Sequence, residues 1–176
     1  MNHSSQLNKK ITELITVEQA TIDDVSAISQ VHSKVFLRQI ESELWIQSNL
    51  SAYPRIIIFK ALWKNNIVGY IQWIFKSGFR TDAIIELEQI AVLPSMQRKG
   101  IGSKLIVDSL EKIKLYLSSE TRTLKGVLIS SRTDNHAQKI YHELLSAKPI
   151  VIIPKLYSED EVIMYADFSI KVIEGV

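Results

Sequence analysis

The chain has 176 residues, 46% of them hydrophobic, and its 21 basic and 19 acidic residues leave a formal net charge of +2. That length and apolar content suit one globular domain, and so small a net charge gives no electrostatic footprint for nucleic acid. Cysteine is absent, which excludes disulfides, thiolate zinc sites and a cysteine nucleophile; His3, His32, His136 and His142 are too scattered to predict a metal site.

Met1 to Lys10 is polar, carries no apolar leader core and reads as a flexible tail. No apolar run approaches the ~18–20 residues of a membrane span. These features predict a cytoplasmic protein that engages neither membrane nor nucleic acid. From Ile11 to Ala20 the pattern predicts a first strand. Thr21-Ile22-Asp23-Asp24 reads as a capping box, and the helix behind it carries Ile22, Val25, Ile28, Val31 and Val35 on one stripe. A second helix is predicted from Arg38 to Leu50, closed off by Pro54.

Arg55 to Trp63 and Ile67 to Phe75 are β runs around a Lys64-Asn65-Asn66 turn, which predicts a hairpin. Ile84 to Leu93 is the next strand, apolar and β-branched, stopped by Pro94. Ser95 to Lys99 is a loop, and a helix opens at Gly100-Ile101-Gly102 with Leu105, Ile106, Leu110, Ile113 and Leu117 on its apolar face. Ser118 to Lys125 is a polar connection to a short strand, Gly126 to Ser130. Asp134 is predicted to cap a helix with Ala137, Ile140, Tyr141, Leu144 and Leu145 on its stripe. Strands at Pro149 to Pro154 and Glu161 to Ile170 complete the chain. The predicted order, β-α-α-β-β-β-α-β-α-β-β, implies a mixed α/β sheet in which hairpins precede a β-α-β crossover.

The stretch Glu86 to Leu105 carries the chemistry. First-turn N–H groups of a helix have no intrahelical partner, and the dipole places about half a positive charge there. Glycines let an anion approach the bare backbone. Gln97, Arg98 and Lys99 add an amide and two cations just before that end, so a pyrophosphate is the ligand such a loop suits best. A dinucleotide fingerprint fails, because the third glycine of Gly-x-Gly-x-x-Gly would fall at Leu105, and the phosphate-loop Gly-Lys-Ser/Thr is absent as well.

Gln97-Arg98-Lys99-Gly100-Ile101-Gly102, preceded by Ile90-Ala91-Val92-Leu93-Pro94, resembles the acetyl-CoA motif of the GNAT superfamily of N-acetyltransferases. Asp134-Asn135-His136-Ala137-Gln138-Lys139-Ile140-Tyr141 resembles that family's second cofactor motif, with Asp134 in place of the usual asparagine. The resemblance implies one GNAT domain over residues 11–176, with a twisted, mostly antiparallel sheet of about seven strands flanked by about four helices. It implies an acetyl-CoA-dependent transfer to an amine acceptor without a metal. Cofactor contacts then fall on Ile90, Ala91, Val92, Gln97, Arg98, Lys99, Gly100, Ile101, Gly102, Ser103, Asn135 and Tyr141. Glu86 and Glu88 are both candidates for the base that deprotonates the amine, Tyr141 for the acid that protonates the departing thiolate, and the N–H of Ala91 or Val92 for the oxyanion donor. A non-catalytic acyl-CoA-binding module of the same fold is the alternative, and formation of a homodimer through strand edges, common in relatives, is left open.

Overall fold

The computed structural model describes residues 11–76 and 78–169. The tail expected at 1–10 and the end of the last strand expected at Ile170 lie outside them. The strands are β1 (Thr16–Gln19), β2 (Ile56–Trp63), β3 (Asn66–Phe75), β4 (Asp82–Val92), β5 (Thr123–Arg132), β6 (Lys148–Ile153) and β7 (Glu161–Asp167). The helices are α1 (Val25–Val35), α2 (Ser42–Ser51), α3 (Ile101–Ser119) and α4 (Ala137–Leu145). The seven strands are hydrogen-bonded in the order β1-β2-β3-β4-β5-β7-β6. The β1–β2, β5–β7 and β6–β7 pairs are antiparallel, and β4–β5 is parallel, as the α3 crossover between them requires. This is the mixed, mostly antiparallel sheet that the sequence resemblance implies.

The described residues form two compact units: those up to Trp73 with Gln89–Lys112, and Ile74–Glu88 with those from Ile113 onward. In the first, Thr21 N–H donates to the Asp24 carboxylate (2.9 Å), closing the predicted box at a 3-10 turn that leads into α1. Asp24 also pairs with Lys60 on β2 (2.8 Å). Lys64 and Asn65 take positive φ, 49° and 65°, which is the primed turn a two-residue hairpin needs. Gly69 of β3 lies against the end of β4 and the start of α3. A Cβ there would come 2.7 Å from the Ala91 carbonyl oxygen, 3.2 Å from Val92 and 3.3 Å from Leu105. In the second unit, the β4–β5 ladder pairs Asp82–Leu87 with Thr123–Ile129 and ends there. Gly126 of β5 packs under the Tyr165 ring.

Several boundaries differ from expectation. Residues 11–13 are helical and only Thr16–Gln19 is strand, because Leu14 and Ile15 N–H groups bond back to Ile11 and Thr12 rather than across to β2. α2 begins at Ser42 instead of Arg38, since Glu41 sits in the left-handed region (φ 53°) and interrupts any helix before it. β5 is longer than predicted at both ends, where its outer residues are held by β7 and β4. Asp134 does not cap α4; Arg132 grips its carboxylate with two hydrogen bonds (2.9 and 2.7 Å), and Asn135 Oδ1 accepts the Ala137 N–H instead (2.9 Å).

Gly69→Ala is expected to destabilise the protein by about 1–3 kcal/mol, because the nearest obstacle is backbone that cannot swing aside. Urea unfolding checks this, with a lowered midpoint and an unchanged m-value as the expected outcome.

Candidate active site

The start of α3 is built as expected and then exceeds it. Ile101, Leu105, Ile106, Leu110, Ile113 and Leu117 are all buried, so the apolar stripe fixes how the helix lies and where its first turn points. Lys104 N–H donates to Gly100 O (3.0 Å), the first helical bond. Before it, the N–H groups of Lys99, Gly100, Ile101, Gly102 and Ser103 meet no acceptor among the described residues. Arg98 and Gly100 both have positive φ, 58° and 79°, while Lys99 between them does not. Alternation of this kind makes successive N–H groups converge into an anion-binding concavity. A Cβ on Gly102 would have only Ile90 Cδ1 near it, at 4.0 Å, so that side of the turn is open. The loop therefore fits a pyrophosphate through its main chain.

The side chains of the loop do something else. Gln97 Nε2 donates to the Val92 carbonyl (2.9 Å), tying the loop to the end of β4. Lys99 Nζ donates to Ser95 O (2.7 Å). Both bonds brace the loop instead of projecting into it.

On β4, alternation holds as predicted: Ala83, Ile85, Leu87, Gln89 and Ala91 are buried, and Ile84, Glu86, Glu88 and Ile90 are half-buried on the other face. The two glutamates now separate. Glu86 is paired with Lys76 Nζ at 2.8 Å. Burial raises the pKa of Glu88, the Glu86 charge raises it further, and Lys76 opposes both. Tyr141 on α4 is 4% exposed, and burial pushes its phenol up to about 12. Asn135 is occupied in capping α4.

Gln89 was not among the predicted site residues. It is a buried amide beside Glu88, and its Oε1 accepts from Trp45 Nε1 (3.1 Å) and from the Tyr70 hydroxyl (2.9 Å). Indole nitrogen only donates, which fixes the amide orientation. Gln89 Nε2 then donates to Gln39 Oε1 (3.2 Å), and Gln39 Oε1 in turn accepts from His32 Nε2 (2.7 Å). His32 Nδ1 is left to accept from the Ser42 hydroxyl at 2.8 Å. His32 is fully buried, and burial lowers its pKa, which favours the neutral ring with its proton on Nε2. The network joins β4 and β3 to α1, α2 and the segment between the two helices. A glutamine in the buried phase of an otherwise apolar strand was the available sequence signal, since a buried amide requires partners.

A family model, the acetyltransferase (GNAT) domain, matches residues 54–144, more than half of the chain. The chain belongs to the GNAT acetyltransferase family, and is an acyltransferase. No curated protein sequence matches it. Its fold is similar to that of the ribosomal-protein-S18-alanine N-acetyltransferase from Escherichia coli, with a TM-score of 0.70, 19% identity, and 92% of this chain and 99% of that one covered. It is also similar to Arabidopsis thaliana NAA60 in complex with acetyl-CoA (TM-score 0.68, 16% identity, 88% and 98% covered). A third likeness is to the spermidine/spermine N-acetyltransferase SpeG from Vibrio cholerae (TM-score 0.67, 15% identity, 87% and 93% covered). Among the described residues no helix is long and apolar enough to cross a membrane.

Gln89→Leu is expected to cost roughly 1–3 kcal/mol, because it strands the buried Tyr70 hydroxyl and takes the acceptor from Trp45 Nε1. Denaturant unfolding measures the loss, and Gln89→Glu, which keeps the acceptor oxygen, is expected to lose less near the acid end of the stability range.

Proposed function

We propose that the protein transfers the acetyl group of acetyl-CoA to a primary amine of a small molecule or protein, by direct attack in a ternary complex. The observation that carries this reading is the run of N–H groups from Lys99 to Ser103 that meet no acceptor among the described residues. They, with Ile101 as the buried anchor and Arg98 beside them, hold the pyrophosphate. The pantetheine arm pairs with the main chain of Ile90, Ala91 and Val92, beyond the last β4 residue laddered to β5. Acetyl-CoA brings the activated acyl group; the chain binds it, orients it and moves protons.

An alkylamine with a pKa near ~10.4 is almost wholly protonated at neutral pH. Glu88 is the base in this reading. Among the described residues its carboxylate has no ion pair like the one that ties Glu86 to Lys76, and its raised pKa makes it a better proton acceptor. The N–H of Ala91 or Val92 donates to the thioester oxygen as it becomes an oxyanion. Tyr141 supplies the proton to the departing thiolate. Its phenol keeps that proton throughout the working pH range, and a thiolate forming in a dry site becomes more basic, which narrows the gap between the two groups. Holding amine and thioester together replaces a bimolecular encounter. Asn135 holds the start of α4, the helix that carries Tyr141.

An assay of thiol release from acetyl-CoA over a panel of amines is expected to identify acceptors, and turnover with none of them would contradict the reading. With an acceptor in hand, Glu88→Gln is expected to lower kcat by about a hundredfold or more, and Tyr141→Phe to lower it as well. Activity requires Glu88 ionised, so the rate falls as pH drops through its raised pKa. Glu86→Gln removes one cause of that elevation, and is expected to move the acid limb of the pH–rate profile to lower pH while leaving most of kcat. An acid limb that stays in place in Glu88→Gln would assign the base elsewhere.

A further inference from the structure

Thr12, before the first strand, reaches the anion loop. Its hydroxyl donates to the Lys99 carbonyl oxygen, a contact between residues 87 apart in sequence. The threonine is held in a turn, with Leu14 N–H on Ile11 O (3.0 Å) and Ile15 N–H on Thr12 O (3.2 Å), and Ile15 is buried at the root of β1. A Cβ on Gly100 would meet Thr12 Oγ1 at 3.1 Å and its methyl at 3.6 Å, so the two segments are in contact.

Across a trans peptide the C=O and N–H point in opposite directions. Anchoring the Lys99 carbonyl to Thr12 therefore aims the Gly100 N–H away from Thr12 and keeps a carbonyl dipole from turning toward the anion. We propose that Thr12 is a positioning residue for cofactor binding: it locks the Lys99–Gly100 peptide in the orientation that presents the Gly100 N–H to the pyrophosphate of CoA. This rests on the pyrophosphate reading of the loop. Nothing in the sequence motif points to it, because Thr12 lies far outside the stretch that carries the motif.

The test compares Thr12→Val, which keeps the shape and removes the donor, with Thr12→Ser, which keeps the donor. Calorimetric titration of each full chain with CoA gives the dissociation constant and, through stoichiometry, the folded fraction. Thr12→Val is expected to raise Kd by about 3- to 10-fold, the scale of one neutral hydrogen bond, with Thr12→Ser close to wild type. In turnover the loss is expected in KM for acetyl-CoA and not in kcat, which a general loss of folded enzyme would not produce. Wild-type Kd in Thr12→Val, or equal losses in Thr12→Val and Thr12→Ser, would overturn the proposal. A wild-type chain that does not bind CoA at all would overturn the pyrophosphate reading, and this role of Thr12 with it.

Discussion

A helix leaves its first N–H groups without partners, and the structure depends on how that constraint is met at the start of α3. From Lys99 to Ser103 the N–H groups meet no acceptor among the described residues. Such a turn would relax if left alone, since an N–H with no acceptor favours any conformation that finds one. Three bonds oppose relaxation. Gln97 holds the Val92 carbonyl, Lys99 holds the Ser95 carbonyl, and Thr12 holds the Lys99 carbonyl. The left-handed Gly100 completes the bend, at a position where an L side chain would be strained and would press on Thr12. The Gln97 and Lys99 side chains that drew attention in the sequence thus act on the shape of the backbone.

β4 supplies the other constraint. It alternates through its length, so neighbouring residues do opposite work. Gln89, in the buried phase, anchors the α1–α2 region through Trp45, Gln39 and His32. Glu88, in the half-buried phase, keeps a carboxylate whose charge is disfavoured by burial and by Glu86.

Much of the fold was legible. Period-two and period-3.6 patterns located β1 to β7 and α1 to α4, because burial enforces them, and the stripe from Leu105 to Leu117 is buried as read. Boundaries failed where single bonds decide them: the Ile11–Ile15 turn, the left-handed Glu41, the Arg132 grip on Asp134. The anion loop was legible because glycines and cations cluster locally in sequence. Glu86 and Glu88 stayed unseparated as candidates until Lys76, just past the end of β3, was seen on one of them, a pairing that spacing does not encode. Thr12 and Gln39 were invisible for the same reason: each matters through a contact with a residue distant in the chain.

On this reading the main-chain N–H groups of residues 99–103 hold the pyrophosphate of acetyl-CoA. Amide proton chemical shifts of the ¹⁵N-labelled chain, followed during titration with acetyl-CoA, report on those groups one by one. The Gly100 and Gly102 amides, and those of Lys99, Ile101 and Ser103, are expected to move downfield as they gain a charged acceptor. Binding of acetyl-CoA that leaves these amides in place, with shifts confined to other segments, would contradict it.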